Sequence, residues 1–361
     1  MNYRLAKILD GEDLGPAGTK VIDINTPEPI SRIVIRFKTT KSKHGMDAPA
    51  PANITKIELV DGSQVLHSLD GYENQALAMY SRKVPTMTHG QHMSGSSEED
   101  AYAIDFGRHL WDKELAFLPT KFNNPQLKIT WNEDVADTGV TANECEVWGY
   151  FFDQKAISPI GFLQALEHYA YTPGASGSYE HIVLPTDFPI RQLLVRAFYS
   201  GYEAWYQIAE ARLDEDNLKR TIFDINDLEE YYRMMKSVWT PVEEPIVGVM
   251  ISTGQTFYTA LGDYWGEVLV CSHEFAQAWY CATPAARGGK INIRDTNNSE
   301  FSGVVRGYLP WSTFQFPMGV MDDIDDWFDP KGLTQLRLRL RAYTGAANGA
   351  VKVVLEQLRK Y

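Results

Sequence analysis

The densest run of ligating side chains in this 361-residue sequence is Asp322, Asp323, Asp325, Asp326 and Asp329, within DDIDDWFD. Oxygen-rich clusters of this kind hold hard cations, so these five aspartates are the candidate ligands for a structural Ca2+. The run lacks the glycine and closing glutamate of an EF-hand loop. A solvated turn, or a salt bridge to a neighbouring chain, would use the same residues without a metal. His89 and His92, in THGQHM, have a spacing that can chelate a metal. Only His109 lies nearby and no third ligand is evident, so a flexible loop is the plainer reading. Glu243 and Glu244 are adjacent and point opposite ways on a strand, which excludes a facing carboxylate pair of the glycosidase kind. Ser176 sits in GASGS, without the G-x-S-x-G of a nucleophile elbow. No glycine-rich stretch matches a phosphate-binding loop. Arg337, Arg339 and Arg341 alternate along one strand and share a face, where they could meet an acidic partner or simply solvent. No catalytic residue is expected, and no cofactor beyond the candidate calcium.

Composition narrows the classes further. The net charge is −13 with 34 basic and 47 acidic residues, so direct nucleic-acid binding is not expected of this surface. Hydrophobic residues make up 44% and aromatics 12%, the profile of a globular, β-rich chain with large buried interfaces. The three cysteines, Cys145, Cys271 and Cys281, are odd in number and have no C-x-x-C spacing, so they read as free thiols made in a reducing compartment. The N-terminus has no apolar signal region, and no stretch is long and apolar enough to span a bilayer.

The elements that must carry these residues come in two sets. Ile22–Lys38 (IDINTPEPISRIVIRFK) returns as Ile182–Phe198 (IVLPTDFPIRQLLVRAF) at an offset of 160, with five of seventeen positions identical. Ile30/Ile190 and Arg36/Arg196 are among them. Each copy reads strand, proline turn, strand. In the first half, Ile54–Val60 and Ser63–Ser68 follow as a hairpin around Asp61-Gly62. A helix over Leu69–Lys83 is then predicted, with Asp70 as N-cap. After a polar loop over Val84–Asp100, strands are expected at Tyr102–Phe106, Glu114–Leu118, Pro125–Trp131 and Glu144–Phe152. Ile157–Tyr171 reads as a connector with a helix over Gly161–Tyr169, followed by the glycine-rich boundary TPGASGS.

The succession then recurs. Ile54–Ser68 matches Ile208–Ile222 and Leu69–Arg82 matches Phe223–Lys236 at an offset of 154, which makes Asp224 the second N-cap. PQLKITW at Pro125–Trp131 matches TQLRLRL at Thr334–Leu340 at an offset of 209. The drift from 154 to 209 places about 55 extra residues within Ser237–Asp329, a stretch with strand-like runs at Ile246–Ser252 and Glu267–Ser272 and a polar tip at Ala282–Gly303. The absence of βαβ alternation argues against a parallel sheet. The expected fold is all-β: two tandem eight-stranded jelly rolls, each with a short helix inserted, at residues 1–155 and 178–361, joined by a connector at 156–177.

Two tandem jelly rolls, each with a helix after its fourth strand, resemble the double jelly-roll major capsid proteins of tailless icosahedral viruses and bacteriophages. Many of these enclose an internal membrane. The resemblance rests on the paired segments quoted above and on the late run Phe314–Leu340, and it spans nearly the whole chain. It implies a structural, non-enzymatic subunit that forms pseudo-hexagonal homotrimers and tiles an icosahedral virion shell, made in the host cytoplasm. Implied partners are other copies, neighbouring capsomers, penton or minor capsid proteins and an internal lipid membrane. The region Ala282–Gly303 would project as an outer tower or a trimer clasp. The alternative is a two-jelly-roll glycan-binding protein or glycan-processing hydrolase, because fold alone does not set function.

Overall fold

The computed structural model describes residues 2–45, 48–83, 88–133, 140–249, 255–263, 267–272, 278–282, 289–293, 300–343 and 349–361. The first half contains strands β1 (Tyr3–Leu14), β2 (Ala17–Asp23), β3 (Ile30–Lys41), β4 (Ile54–Asp61) and β5 (Gln64–Leu69). Helix α1 (Gly71–Arg82) follows, then β6 (Thr88–His92), β7 (Ser97–Asp105), β8 (Pro125–Asn132) and β9 (Val140–Phe152). The second half contains β10 (Gly161–Tyr171), β11 (Tyr179–Leu184), β12 (Ile190–Phe198), β13 (Ile208–Glu215), β14 (Arg220–Ile225) and helix α2 (Leu228–Met235). Next come β15 (Val242–Val249), β16 (Gln255–Tyr258), β17 (Glu267–Ser272), β18 (Ala278–Ala282), β19 (Lys290–Ile293) and β20 (Glu300–Gly307). The chain closes with β21 (Thr313–Pro317), β22 (Leu336–Ala342) and β23 (Ala350–Lys360).

Each half folds eight strands into two facing sheets of four. The first barrel pairs them as β1-β9-β3-β7 over β2-β8-β4-β5, and the second as β10-β23-β12-β21 over β11-β22-β13-β14. The two orders are the same once each strand is matched to its counterpart. Buried and half-buried residues alternate along the strands, as they do throughout β8 and β22. The buried ones fill two separate cores, one around Ile33, Ile57, Leu127 and Val147 and one around Leu193, Ala211, Leu338 and Val353.

Irregularities repeat along with the strands. Pairing slips between Ile30 and Arg32 against β9, and between Ile190 and Gln192 against β23. It slips again between Ile54 and Lys56, and at the matching Ile208 and Glu210. The Ile30 N–H donates to Phe117 O at 2.8 Å, and the Ile190 N–H donates to Phe328 O at the same distance. Bulges are specified features of a sheet, so their recurrence ties the two halves together more closely than side-chain identity does.

The structure moves several expected boundaries. Gly161–Tyr169 is not a helix but lies in β10, paired antiparallel with β23 and bridged in parallel to β5 at Leu166 and Ser68. The segment 156–177 therefore contributes a strand to the second barrel. The polar loop expected before Asp100 holds β6 and the start of β7. Glu114–Leu118 makes only isolated bridges, at Leu115 and Phe117. The first twenty residues, full of breakers, supply β1 and most of β2. The second helix is capped by Asp227, while Asp224 lies in β14. The turn after β13 accounts for much of that shift. It runs through Asp216, Asn217 and Leu218, all at positive φ, where the first barrel has a tight Asp61-Gly62 turn.

The insertion is narrower than Ser237–Asp329, because β21 belongs to the barrel as the counterpart of β7. The added strands are β15 to β20, with their own core of Ile246, Phe257, Val270 and Phe301. Strand β15 pairs in parallel with β6, so the first barrel's sheet continues into the insertion. Residues 283–288 and 294–299 of the expected tip lie outside the described residues. The insertion joins the second barrel at the Arg196–Phe198 end of β12, where β21 starts at Thr313. The opposite end carries both chain termini: Tyr3 pairs with Phe152, and Leu358 donates to Pro189 O at 2.9 Å. Among the described residues, no helix is long and apolar enough to cross a membrane.

Candidate functional site: the seam between the barrels

Helix α1 begins with a reciprocal capping box. The Glu73 N–H donates to Asp70 Oδ1 at 2.8 Å, and the Asp70 N–H donates to Glu73 Oε2 at 3.0 Å. The helix is buried on nearly all sides although its residues are largely polar. Glu73, Asn74 and Gln75 are each within 1% of full burial. Such burial requires hydrogen-bond partners, and they come from both barrels. Asn74 Oδ1 accepts from the Ala103 N–H of the first barrel at 2.9 Å. On the other side, the Trp311 indole N–H donates to Gln75 Oε1 at 2.8 Å and the Tyr80 hydroxyl donates to Thr313 O at 2.6 Å. Ala76 and Met79 pack with Val242, Ala260 and Trp311. α1 therefore lies between the barrels and bonds each to the other.

Charges lock the same seam. Arg191, 1% exposed, donates from Nη1 to Glu356 at 2.8 Å and from Nε to Met321 O at 2.9 Å. Gln192 donates to the same Glu356 oxygen at 2.6 Å and accepts from Gln315 at 2.6 Å. Arg196 stacks over Tyr72, 4.1 Å from the ring centre, and over Phe198 at 4.9 Å, and lies 3.6 Å from Asp70. Its counterpart in the repeat, Arg36, is on the outward sheet face with Glu99 and Glu146 and is 37% exposed, against 6% for Arg196. The same residue of the repeat thus faces solvent in one barrel and the seam in the other.

One group of three carboxylates among the described residues has metal-like spacing: Asp70, Glu73 and Glu167, with oxygens within 4.8 Å of one another. An ammonium already occupies their midst. Lys352 Nζ lies 2.5 Å from Glu167, 3.0 Å from Asp70 and 3.7 Å from Glu73. Burial, with Asp70 beside it, pushes the Glu73 carboxyl up to about 8. Burial likewise pushes His67, beside Asn74, down to about 3, so that its imidazole is neutral.

The residues singled out from the sequence lie elsewhere and do not converge. The aspartates of the acidic run serve their own loop: Asp323 accepts from the Asp325 N–H at 3.1 Å, Asp326 from the Val320 N–H at 2.7 Å and Asp329 from the Lys331 N–H at 3.0 Å. Asp322 offers its backbone carbonyl to Arg108 at 3.0 Å. His89 and His92 fall in β6, and their side chains lie outside the described residues, while His109 is exposed. Glu243 faces outward to Arg306 at 3.2 Å. Glu244 points inward, accepts from the Ala260 N–H at 2.7 Å and is pushed up to about 8 by burial. Arg337, Arg339 and Arg341 share one face of β22, where Arg341 meets Glu210 at 2.6 Å and Arg339 lies over Tyr179 at 5.0 Å. Cys145 is a free thiol in the first core, pushed up to about 12 by burial, and Cys271 is also free. The Cys281 side chain lies outside the described residues.

No protein-family model matches the chain, and no curated protein does. Solved structures do match, end to end. The major capsid protein of Sulfolobus turreted icosahedral virus aligns with a TM-score of 0.65 at 12% identity, covering 99% of this chain and 98% of that one. The major capsid protein P2 of bacteriophage PM2 aligns at 0.55 and 7% identity, again with 99% and 98% covered. Protein VP54 of PBCV-1 aligns at 0.59 and 10% identity, with 99% and 94% covered. The chain has the double jelly-roll fold.

The two barrels carry matching helices with different surroundings. Asp70 and Asp227 cap matching helices at an offset of 157. At that offset, Leu77, which packs with Leu194 and Val354 of the second barrel, and Ser81, whose hydroxyl accepts from Arg191 and Gln192, correspond to Met234 and Val238 after the second cap. α2 buries Leu228, Tyr231, Tyr232 and Met235 against its own barrel, and the Tyr231 hydroxyl donates to Gln315 O at 2.7 Å. Its other side presents Met234, 62% exposed, and three residues past its end Val238, 67% exposed, lines a cavity between the barrels. Sequence reasoning found Asp70 but missed the rest of the seam. Two signals pointed there: the D-x-x-E of the capping box, and polar residues on every side of a helix that stands in a β-rich context.

Proposed function

We propose that this chain is the major shell subunit of an icosahedral virion and acts by self-assembly. One observation carries the reading: a double jelly roll whose barrels are fixed side by side by α1, while the matching face at α2 is left bare. A rigid pair with one satisfied and one open copy of the same surface can add the next pair in the same sense. Three pairs close a ring of six barrels, the homotrimer with a pseudo-hexagonal outline. The three solved neighbours named above are capsid proteins or components of virus particles by their descriptions, which supports the same role here, with the virion capsid as its location.

In this reading the inserted strands β15 to β20 project from one end and contribute contacts within or above the trimer. The end bearing the termini faces the particle interior, where minor capsid proteins or a membrane would meet it. Neighbouring capsomers meet the sides of the ring. The glycan-processing alternative gains no support from those neighbours. Purified protein examined by negative-stain electron microscopy tests the proposal. Hexagonal particles or curved sheets of them are expected. A uniform population of single chains under all assembly conditions would overturn it.

A further inference from the structure

A cavity of about 470 Å3 opens between the barrels where α1 ends and the chain leaves α2. Its charge runs against that of the molecule. The chain carries −13 overall, yet the lining includes Arg32, Arg82, Lys83, Arg108 and Arg191, with Asp322 as the one acid among the lining residues.

Two of these cations are spoken for. Arg108 is bound by Asp112 at 2.7 Å, by Glu114 and by Asp322 O. Arg191 is held by Glu356, Ser81 and Met321 O. The other three are not saturated. Arg32 and Arg82 both spend Nε on the single carboxylate of Asp105, Arg82 at 2.7 Å. Arg82 Nη2 is buried with no hydrogen-bond partner. Lys83 is exposed, at φ 55 just past the helix, and has no ion pair among the described residues. A buried guanidinium N–H without an acceptor is costly. Cations at a helix C-terminus also complement the helix dipole, but the dipole does not satisfy that donor.

We propose that this cavity binds a phosphate group. Two guanidinium groups sharing one carboxylate, with one ammonium lining the same cavity, present more donors than that carboxylate's two oxygens can use. A phosphate offers further acceptors and up to two charges. The remaining wall is mixed: Ser81, His109, Thr240 and Gln315 are polar, while Met79, Trp239, Pro241 and Pro317 form an apolar part that suits a short hydrocarbon or ring attached to the phosphate. The shared chemistry is the phosphate, from either a free ion or an organic monoester.

Calorimetric titration of the whole protein with inorganic phosphate and, separately, hexyl phosphate tests this, with sodium chloride at matched ionic strength as control. The variants are Arg82→Gln and Lys83→Asn. Asparagine tolerates the left-handed backbone at position 83, so this variant keeps the test valid if Arg82→Gln misfolds. Saturable binding by the wild type, weakened about tenfold or more in each folded variant, is expected. Equal affinity for the two probes assigns the site to the free ion, and tighter binding of hexyl phosphate assigns it to an organic monoester. No saturable binding of either probe, or variants that bind as tightly as the wild type, would overturn the proposal.

Discussion

The two helices occupy the same place in the two barrels and have opposite surroundings. α1 is polar and buried, bonded to one barrel through Asn74 and to the other through Gln75 and Tyr80. α2 is shorter and amphipathic, packed on one side and open on the other. One copy of the helix joins the two halves, whereas the other packs on its own barrel and leaves Met234 exposed. The strand repeat builds the barrels, but the unequal use of the two helices is what can turn a pair of barrels into a repeating unit.

The comparison breaks most visibly at the buried charges. Glu356→Ala leaves Arg191 uncompensated inside the seam and should cost about 3–5 kcal/mol of unfolding free energy in chemical denaturation. Removing the caps should separate the helices. Asp70→Ala also strips a partner from Arg196 and Lys352 and should cost about 3 kcal/mol. Asp227→Ala loses a helix cap alone, about 1 kcal/mol. Equal losses at the two caps would contradict the seam account.

The next test is one of pH. Glu73 is raised from the ordinary 4.5 to about 8, so the folded state binds its proton more tightly than the unfolded chain. That stabilisation is complete below about 4.5 and is lost as pH rises through about 8. Glu73→Gln, which keeps a neutral side chain, should therefore gain in melting temperature relative to wild type as pH increases across this window. A constant difference would place no titration in the seam. The smallest expected effect on the single chain is at the open face. Met234→Asp with Val238→Asp should change its unfolding free energy by less than about 0.5 kcal/mol while abolishing association.

The barrels were legible in the sequence because sheets with one buried face impose alternation, and because Ile30 and Ile190 sit at the same bulge in each copy. β10 was misread because five successive residues, Gly161 to Ala165, are buried. A strand enclosed on both faces loses the period of two, and GFLQALEHYAY then mimics helical spacing. The second cap was misplaced by a turn whose length differs between copies. The acidic run stood out by composition, and three of its five carboxylates, Asp323, Asp326 and Asp329, accept from backbone N–H groups of their own loop. The seam was hidden because its partners are distant in sequence: Gln75 and Trp311, or Arg191 and Glu356, are joined only by the fold. Arg36 and Arg196 make the same point, since nothing local tells which copy of the arginine faces a second barrel.

On the proposed assembly, the bare face at α2 receives another copy of this chain. Light scattering coupled to size-exclusion chromatography measures this directly, on the wild type and on Met234→Asp/Val238→Asp. The account predicts a wild-type species of three chain masses, and a folded single chain for the double variant. A wild type that remains one chain at every concentration, or a double variant that still runs as the trimer, would contradict it.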